Sequence, residues 1–185
     1  MWSTAAERAV PESGLAATAR EELERRFDRL LEQNGGALSR LAASYTNSGA
    51  DRDDLVQEMA LAIWRALPHF RGECSERTFL FRIAHNRAVT YLTRRLAQKA
   101  EAVAQMDVAD ATPNAEAGLA REQQGAQLRR AVRSLPLLYR QVVTLMLEGM
   151  EYDEMAQVLG ISASNVGARL SRARQMLRES MEVPR

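Results

Sequence analysis

With 185 residues, 46% of them hydrophobic, the chain is long enough for one or two small domains, each with an apolar core. Aromatic residues are sparse at 5% while Ala, Leu, Arg, Glu and Met dominate, a mix that favours helix and argues against a sheet protein. The 25 Lys and Arg against 24 Asp and Glu leave a formal net charge of +1, so any nucleic-acid surface has to come from local clustering of cations. The single cysteine, Cys74, excludes an intramolecular disulfide, and no apolar run approaches the length needed to cross a bilayer. The expectation is an all-α, cytoplasmic chain without membrane insertion, built as two small helical domains joined by a flexible linker.

In chain order, residues 1–18 lack the cationic start and continuous apolar core of a secretory signal, and read as a disordered tail. A first helical domain spans 19–97. It opens with Leu23, Phe27, Leu30 and Leu31 at helical spacing. Gly35-Gly36 is read as a point that interrupts or ends this helix, with a second pattern running through Leu38, Leu41 and Ala42 to Tyr45. After the Asn47-Ser48-Gly49 turn a third helix is predicted from the acidic run Asp51 to Asp54, with Leu55, Met59, Ile63 and Leu67 on one face until Pro68. A polar loop, His69 to Glu76, precedes Phe79, Leu80, Ile83, Ala84, Val89, Tyr91 and Leu92. That helix is predicted to end at Thr93-Arg94-Arg95, where the arginines suit either the helix dipole or a nucleic-acid face. His69, Cys74 and His85 have no recognised ligand spacing, so no metal is expected; Cys74 is read as an inert thiol rather than a redox sensor.

Over 98–124 the periodicity weakens and Ala, Asp, Glu and Gln prevail with Pro113, Asn114 and Gly118, which reads as an acidic linker separating two independently packed units. The second domain, 125–182, opens at about Gln127. Ser134 reads as a cap and Pro136 as an early-helix proline; Leu138, Val142, Leu145 and Met146 form a stripe that Gly149 ends. Glu151 to Leu177 then carries two short helical patterns joined at Gly160-Ile161-Ser162. Glycine can take the left-handed conformation that closes one helix, and serine can accept the orphan amides that open the next. Ile161 and Val166 are spaced as a hydrophobic staple. Met155, Ala156 and Leu159 form the inner face of the first helix, and Val166, Leu170, Ala173 and Leu177 that of the second. The outer face carries Ser164, Asn165, Ala168, Ser171, Arg172 and Gln175, short or polar enough to enter a major groove, flanked by Arg169, Arg174 and Arg178 for phosphates. This is a helix-turn-helix pattern; the competing reading is an ordinary helical hairpin with a solvated basic face.

Five pieces follow one another in a telling order: DLVQE at Asp54 to Glu58, IW at Ile63-Trp64, HFRG at His69 to Gly72, TFLFRIAHN at Thr78 to Asn86, and a terminal SLP, LGIS and RLSRARQML unit. In that order they resemble the bacterial sigma factors of the extracytoplasmic-function group, over nearly the whole chain after its first twenty or so residues. The resemblance implies that the first domain binds core RNA polymerase and opens the minus-ten promoter element, and that the second reads the minus-thirty-five element. It implies polymerase contacts from Asp54, Leu55, Gln57, Glu58 and Trp64, although Trp64 can equally be core. For promoter opening it implies Asn86 as the base contact, with Phe79 beside it and Arg82, Arg87, Arg94 and Arg95 as phosphate partners; Phe79 stands where many relatives carry tryptophan and can equally be core. Relatives usually place threonine at Asn165, a basic residue at Gly167 and a polar one at Ala168, so here sequence reading falls to Ser164, Asn165, Ser171 and Arg172, with Arg169 and Arg174 retained. The acids Glu101, Asp107, Asp110 and Glu116 resemble the group's acidic connector, or are simply solvated. An anti-sigma factor is a further partner that the resemblance implies.

No serine or cysteine partners the two histidines and no glycine-rich phosphate loop is present, so neither enzyme activity nor a cofactor is expected. Two other readings compete. One is a stand-alone helix-turn-helix regulator on a duplex operator; the other is a helical adaptor that binds only protein. DLVQE with FRIAHN upstream favours the sigma factor over the first, and the well-formed recognition helix argues against the second.

Overall fold

The computed structural model describes residues 12–105 and 120–181, and all regular structure among them is helical. The first block contains α1 (Glu12–Ala43), α2 (Gly49–Ala66), a 3-10 turn (Leu67–His69) and α3 (Glu76–Gln105). The second contains α4 (Ala120–Ser134), α5 (Leu137–Leu147), α6 (Tyr152–Leu159) and α7 (Ala163–Met181).

Several element boundaries differ from those predicted. α1 starts inside the segment read as a tail and passes unbroken through Gly35-Gly36. Two interior glycines weaken a helix by up to about 1 kcal/mol each. Burial on both sides overrides this: Leu30, Ala37, Leu38 and Leu41 all face the core, and the buried Asn34 donates its Nδ2 to the Leu30 carbonyl at 2.9 Å. α2 begins at Gly49 rather than at the acids, because Ser48 caps it by accepting the Asp51 amide at 3.0 Å. α3 runs ten residues beyond Arg95, to Gln105. The segment LAQKAEAVAQ has neither glycine nor proline, so nothing stops the helix, and Arg94 and Arg95 are mid-helix residues rather than dipole-neutralising terminal cations. With α3 reaching Gln105 and α4 starting at Ala120, both helices enter the predicted linker. Asp107, Asp110 and Glu116 lie outside the described residues; Glu101 is exposed on α3.

The first core is assembled from one stripe of each helix. Leu55, Met59, Ile63 and Leu67, spaced four apart, are fully or almost fully buried against Leu38 and Leu41 of α1 and Leu80, Phe81, Ala84 and Ala88 of α3. In the second block Val132, Leu135, Val142, Leu145, Met155, Val158, Val166, Leu170 and Ala173 are buried together. Ser134 ends α4, its hydroxyl donating to the Ala131 carbonyl at 2.8 Å, and Pro136 rather than Ser134 is the residue before α5. The Pro136 carbonyl accepts the Tyr139 and Arg140 amides at 3.0 Å each. Gly149, at φ 73°, closes α5 as its composition predicts.

The blocks are not independent. α6 packs on α3, and Arg40 at the end of α1 grips Glu148 with Nε–Oε1 at 2.9 Å and Nη2–Oε2 at 2.6 Å. Arg77 of α3 donates to the Glu148 carbonyl, and Arg133 of α4 reaches the Ala43 and Thr46 carbonyls at 3.4 and 3.5 Å. The Arg140 guanidinium lies 5.8 Å from the centre of the Tyr45 ring. The two helical domains thus meet along a polar seam.

Candidate nucleic-acid interface

The turn between α6 and α7 is built by short-range bonds. At the start of α6 the Glu151 amide donates to Glu154 Oε2 at 3.0 Å, and at its end Gly160 sits at φ 66°, ψ 35°, a conformation that costs a residue with a Cβ about 1–2 kcal/mol. The Ile161 amide returns to the Ala156 carbonyl at 3.1 Å, and the Ser162 hydroxyl accepts the Asn165 amide at 3.2 Å. Val166 is fully buried with Ile161 packed against the same core, so both halves of the staple face inward. Val158, absent from the predicted inner face, is buried there too, and Leu177 is only half-buried.

This anchoring turns one side of α7 outward. Ser164, Asn165, Ala168, Ser171, Arg172 and Arg174 are exposed; Arg169 is half-buried. The side chain of Arg169 donates Nε–H to Asn165 Oδ1 at 3.0 Å, and Arg174 leans on the Met146 sulfur at 3.5 Å. A Cβ at Gly167 would meet the Tyr152 ring at 3.6 Å, an ordinary contact, so packing does not require glycine there.

In the first block Asp54 and Gln57 are exposed, Glu58 is half-exposed, and Trp64 is half-buried with its ring edge-on to Phe27 at 5.2 Å. Leu55 is fully buried, so the position singled out as a polymerase contact belongs to the core: the i, i+4 stripe that contains it points inward. Phe79 is corrected likewise. It is 7% exposed and tilted against Phe70 at 4.6 Å, which leaves its ring unavailable for stacking on a base. Its visible role is to carry Arg82, whose guanidinium lies 5.8 Å from the ring centre.

On α3 the spacing four by four places Arg82, Asn86, Thr90 and Arg94 on one stripe, with Arg87, Tyr91 and Arg95 on the next. Asn86, Arg94 and Arg95 are exposed and Arg87 is half-buried. Two of these cations meet carboxylates of α2, Arg95 with Asp51 at 3.2 Å and Arg94 with Glu58 at 3.9 Å. The loop before α3 is tied back to α1 by Arg26, which pairs with Glu76 at 2.6 Å and lies 5.1 Å from the Phe70 ring centre.

The pairing of Glu148 and the burial of His85 escaped sequence reading. Glu148, the hub of the seam, has a side chain only 6% exposed, yet its partner is 108 positions away and no local pattern announces it. His85 is buried edge-on to Tyr45 at 6.1 Å, and burial pushes its pKa down to about 4, so the ring is neutral at pH 7. His69 is exposed at the end of the 3-10 turn and Cys74 is half-buried; among the described residues no group of three His, Cys, Asp or Glu is placed to hold a metal. Nor is any described helix long and apolar enough to cross a membrane.

A helix-turn-helix with an exposed polar and cationic face, backed by a helical block with its own exposed asparagine and arginines, defines a DNA-binding protein with a second interaction domain. A family model described as Sigma-70 region 2 matches residues 30–97, and one described as Sigma-70, region 4 matches residues 125–177. RNA polymerase sigma factor CnrH of Cupriavidus metallidurans is 36% identical over 174 residues, covering 88% of this chain and 90% of the relative. The ECF RNA polymerase sigma-E factor of Escherichia coli K12 is 30% identical over 163 residues, covering 82% and 84%. Among solved structures, CnrH in complex with the cytosolic domain of CnrY superposes with a TM-score of 0.67 at 29% identity, over 92% of this chain and 97% of that one. RpoE of Bartonella quintana in complex with the anti-sigma factor NepR, 23% identical with a TM-score of 0.68 over 87% and 99%, shares the fold. The chain belongs to the extracytoplasmic-function group of bacterial RNA polymerase sigma factors. It is an alternative sigma factor, which binds core polymerase and directs promoter recognition, strand opening and transcription initiation. The region 2 match accounts for the upstream domain that a stand-alone operator-binding regulator leaves unexplained.

Proposed function

We propose that three surfaces divide this work: α2 meets core polymerase, the outer stripes of α3 open the promoter, and α7 reads the upstream element. The observation that carries the reading is the adjoining of two unlike faces in the first block, exposed Asp54 and Gln57 on α2 and exposed Asn86, Arg94 and Arg95 on α3. Asp54, Gln57, Glu58 and the open edge of Trp64 form the polymerase contact, with Leu55 beneath them as its support. On α3 the Asn86 amide takes the edge of an extruded base, while Arg82, Arg87, Arg94 and Arg95 hold the backbone on either side. In the unbound chain Arg94 and Arg95 rest on Glu58 and Asp51. Surface pairs of this kind contribute about 1 kcal/mol or less, so phosphates displace the carboxylates at little loss and leave the acids to polymerase.

On α7, Ser164, Asn165, Ala168, Ser171 and Arg172 face base edges and Arg169 and Arg174 take phosphates. The opening function is assigned to 19–97 and the upstream reading to 125–182. Bond formation stays with polymerase: this chain supplies binding and melting, without a cofactor, in the cytoplasm where polymerase works. Control by an anti-sigma factor is supported by the solved pairing of the relative CnrH with CnrY.

Asn86→Ala tests the opening role. Closed-complex formation should survive, because the duplex is still held through the upstream element, while permanganate reactivity of the melted segment falls. A template with a pre-opened bubble should recover much of the lost transcription. Normal opening by Asn86→Ala on linear duplex would remove the pocket from the mechanism.

A further inference from the structure

The reading face of α7 holds one side chain whose hydrogen-bonding sense is set before DNA arrives. Asn165 lies in the first turn of α7, the part of a recognition helix that reaches base edges, and its backbone amide is fastened to Ser162 Oγ at 3.2 Å. One turn on, Arg169 donates Nε–H to Asn165 Oδ1 at 3.0 Å. A guanidinium has five donors and no acceptor, so this contact assigns the amide: oxygen toward Arg169, nitrogen away from it. Nε is also distinct from the two Nη groups, so one arginine can hold Asn165 and still offer donors to a phosphate.

That assignment bears on what Asn165 can read. Asparagine recognises adenine by using both ends at once, the oxygen accepting from N6 and the nitrogen donating to N7. With the oxygen drawn toward Arg169, that two-ended pairing is disfavoured, and the end of the amide left to meet a base is the nitrogen, a donor. Guanine presents two acceptors side by side, N7 and O6, whereas adenine presents one acceptor beside a donor that would face the amide N–H groups.

We propose that Asn165 is a donor-only reader favouring guanine over adenine at one position of the upstream element, and that Arg169 is the positioning residue that keeps it so. This rests on the reading of α7 as the helix that enters the major groove.

The test uses holoenzyme assembled with the full-length chain and a promoter library randomised through the upstream element, with bound sequences counted. The wild type should enrich guanine over adenine about tenfold, the discrimination of one good base contact, at a position that Asn165→Ala flattens while leaving the others intact. Arg169→Ala lets the amide turn, and should raise adenine relative to guanine at that position, over and above a uniform loss of binding. Asn165→Asp, which presents only acceptors, should move the preference to cytosine or adenine, whose exocyclic amines donate. Enrichment of adenine by the wild type at the position sensitive to Asn165→Ala would overturn the inference, as would an unchanged base ratio there in Arg169→Ala. If a preference exists that responds to Arg172→Ala and not to Asn165→Ala, the inference fails and α7 remains the reader. If the wild type shows no upstream preference at all, both fall.

Discussion

Removing Arg40 should damage the seam between the two blocks more than removing Glu148, the residue it grips. The asymmetry comes from burial: the Glu148 side chain is 6% exposed and that of Arg40 is 67% exposed. In Glu148→Ala two charge-assisted hydrogen bonds are lost, but the arginine returns to water and nothing charged is stranded, a loss of about 1 kcal/mol after screening at the exposed partner. In Arg40→Ala a carboxylate stays in the seam without its partner, so desolvation adds to the loss and the total rises to about 2–3 kcal/mol. Each block keeps its own core, so the loss should appear as opening of the seam rather than as unfolding of either block. At about 2 kcal/mol the open population grows some thirtyfold, since about 1.4 kcal/mol is a factor of ten. Hydrogen exchange should therefore quicken over the amino-terminal turns of α3 and over α6, which pack on each other across the seam, while Leu55 to Leu67 stay protected. In the double variant the stranded charge is gone, so Arg40→Ala should add little to Glu148→Ala, a coupling that a double-mutant cycle reads directly. Equal effects of the two single variants, or additivity in the double, would refute the argument from burial.

The buried His85 ties stability to pH. Its folded pKa of about 4 lies below the ordinary 6.5, so the unfolded chain binds the extra proton and stability falls as pH drops from 6.5 toward 4, by on the order of 3 kcal/mol. Urea denaturation across that window should show a shallower loss in His85→Phe; parallel curves would sink the assignment. Gly35→Ala should stabilise by about 0.5–1 kcal/mol, because a Cβ there meets nothing within 4 Å in an unbroken helix. Gly160→Ala should destabilise by about 1–2 kcal/mol through its positive φ of 66°, and thermal denaturation of the pair checks both signs. In promoter-library binding, Arg172→Ala should cost about 1–3 kcal/mol of discrimination if that side chain pairs with a base, whereas Arg174→Ala should weaken all sequences alike. Identical sequence profiles for Arg172→Ala and the wild type would take Arg172 out of the reading set.

The elements legible in the sequence are those whose bonds close within a few residues. The Gly160 turn, the Ser162 cap, the Ile161 and Val166 staple and the inward stripe from Leu55 to Leu67 each depend on neighbours along the chain, and all stand in the fold as composition predicts. The exposed face of α7 follows from that stripe logic, since burying Val166, Leu170 and Ala173 leaves Asn165, Ser171 and Arg172 no other side. Tertiary packing decided the rest. Gly35-Gly36 looked like a break because helix propensity is local, yet α1 is kept whole by burial of Leu30, Leu38 and Leu41 against helices that propensity does not see. Phe79 and Asn86 lie within one motif, and only the arrangement of neighbouring helices turns Phe79 inward while Asn86 stays outside. The grip of Arg40 on Glu148 and the neutral His85 beside Tyr45 have no sequence signature at all. Pairing across 108 positions and the dielectric around a ring are set by which surfaces meet, and periodicity along one helix says nothing of its partner.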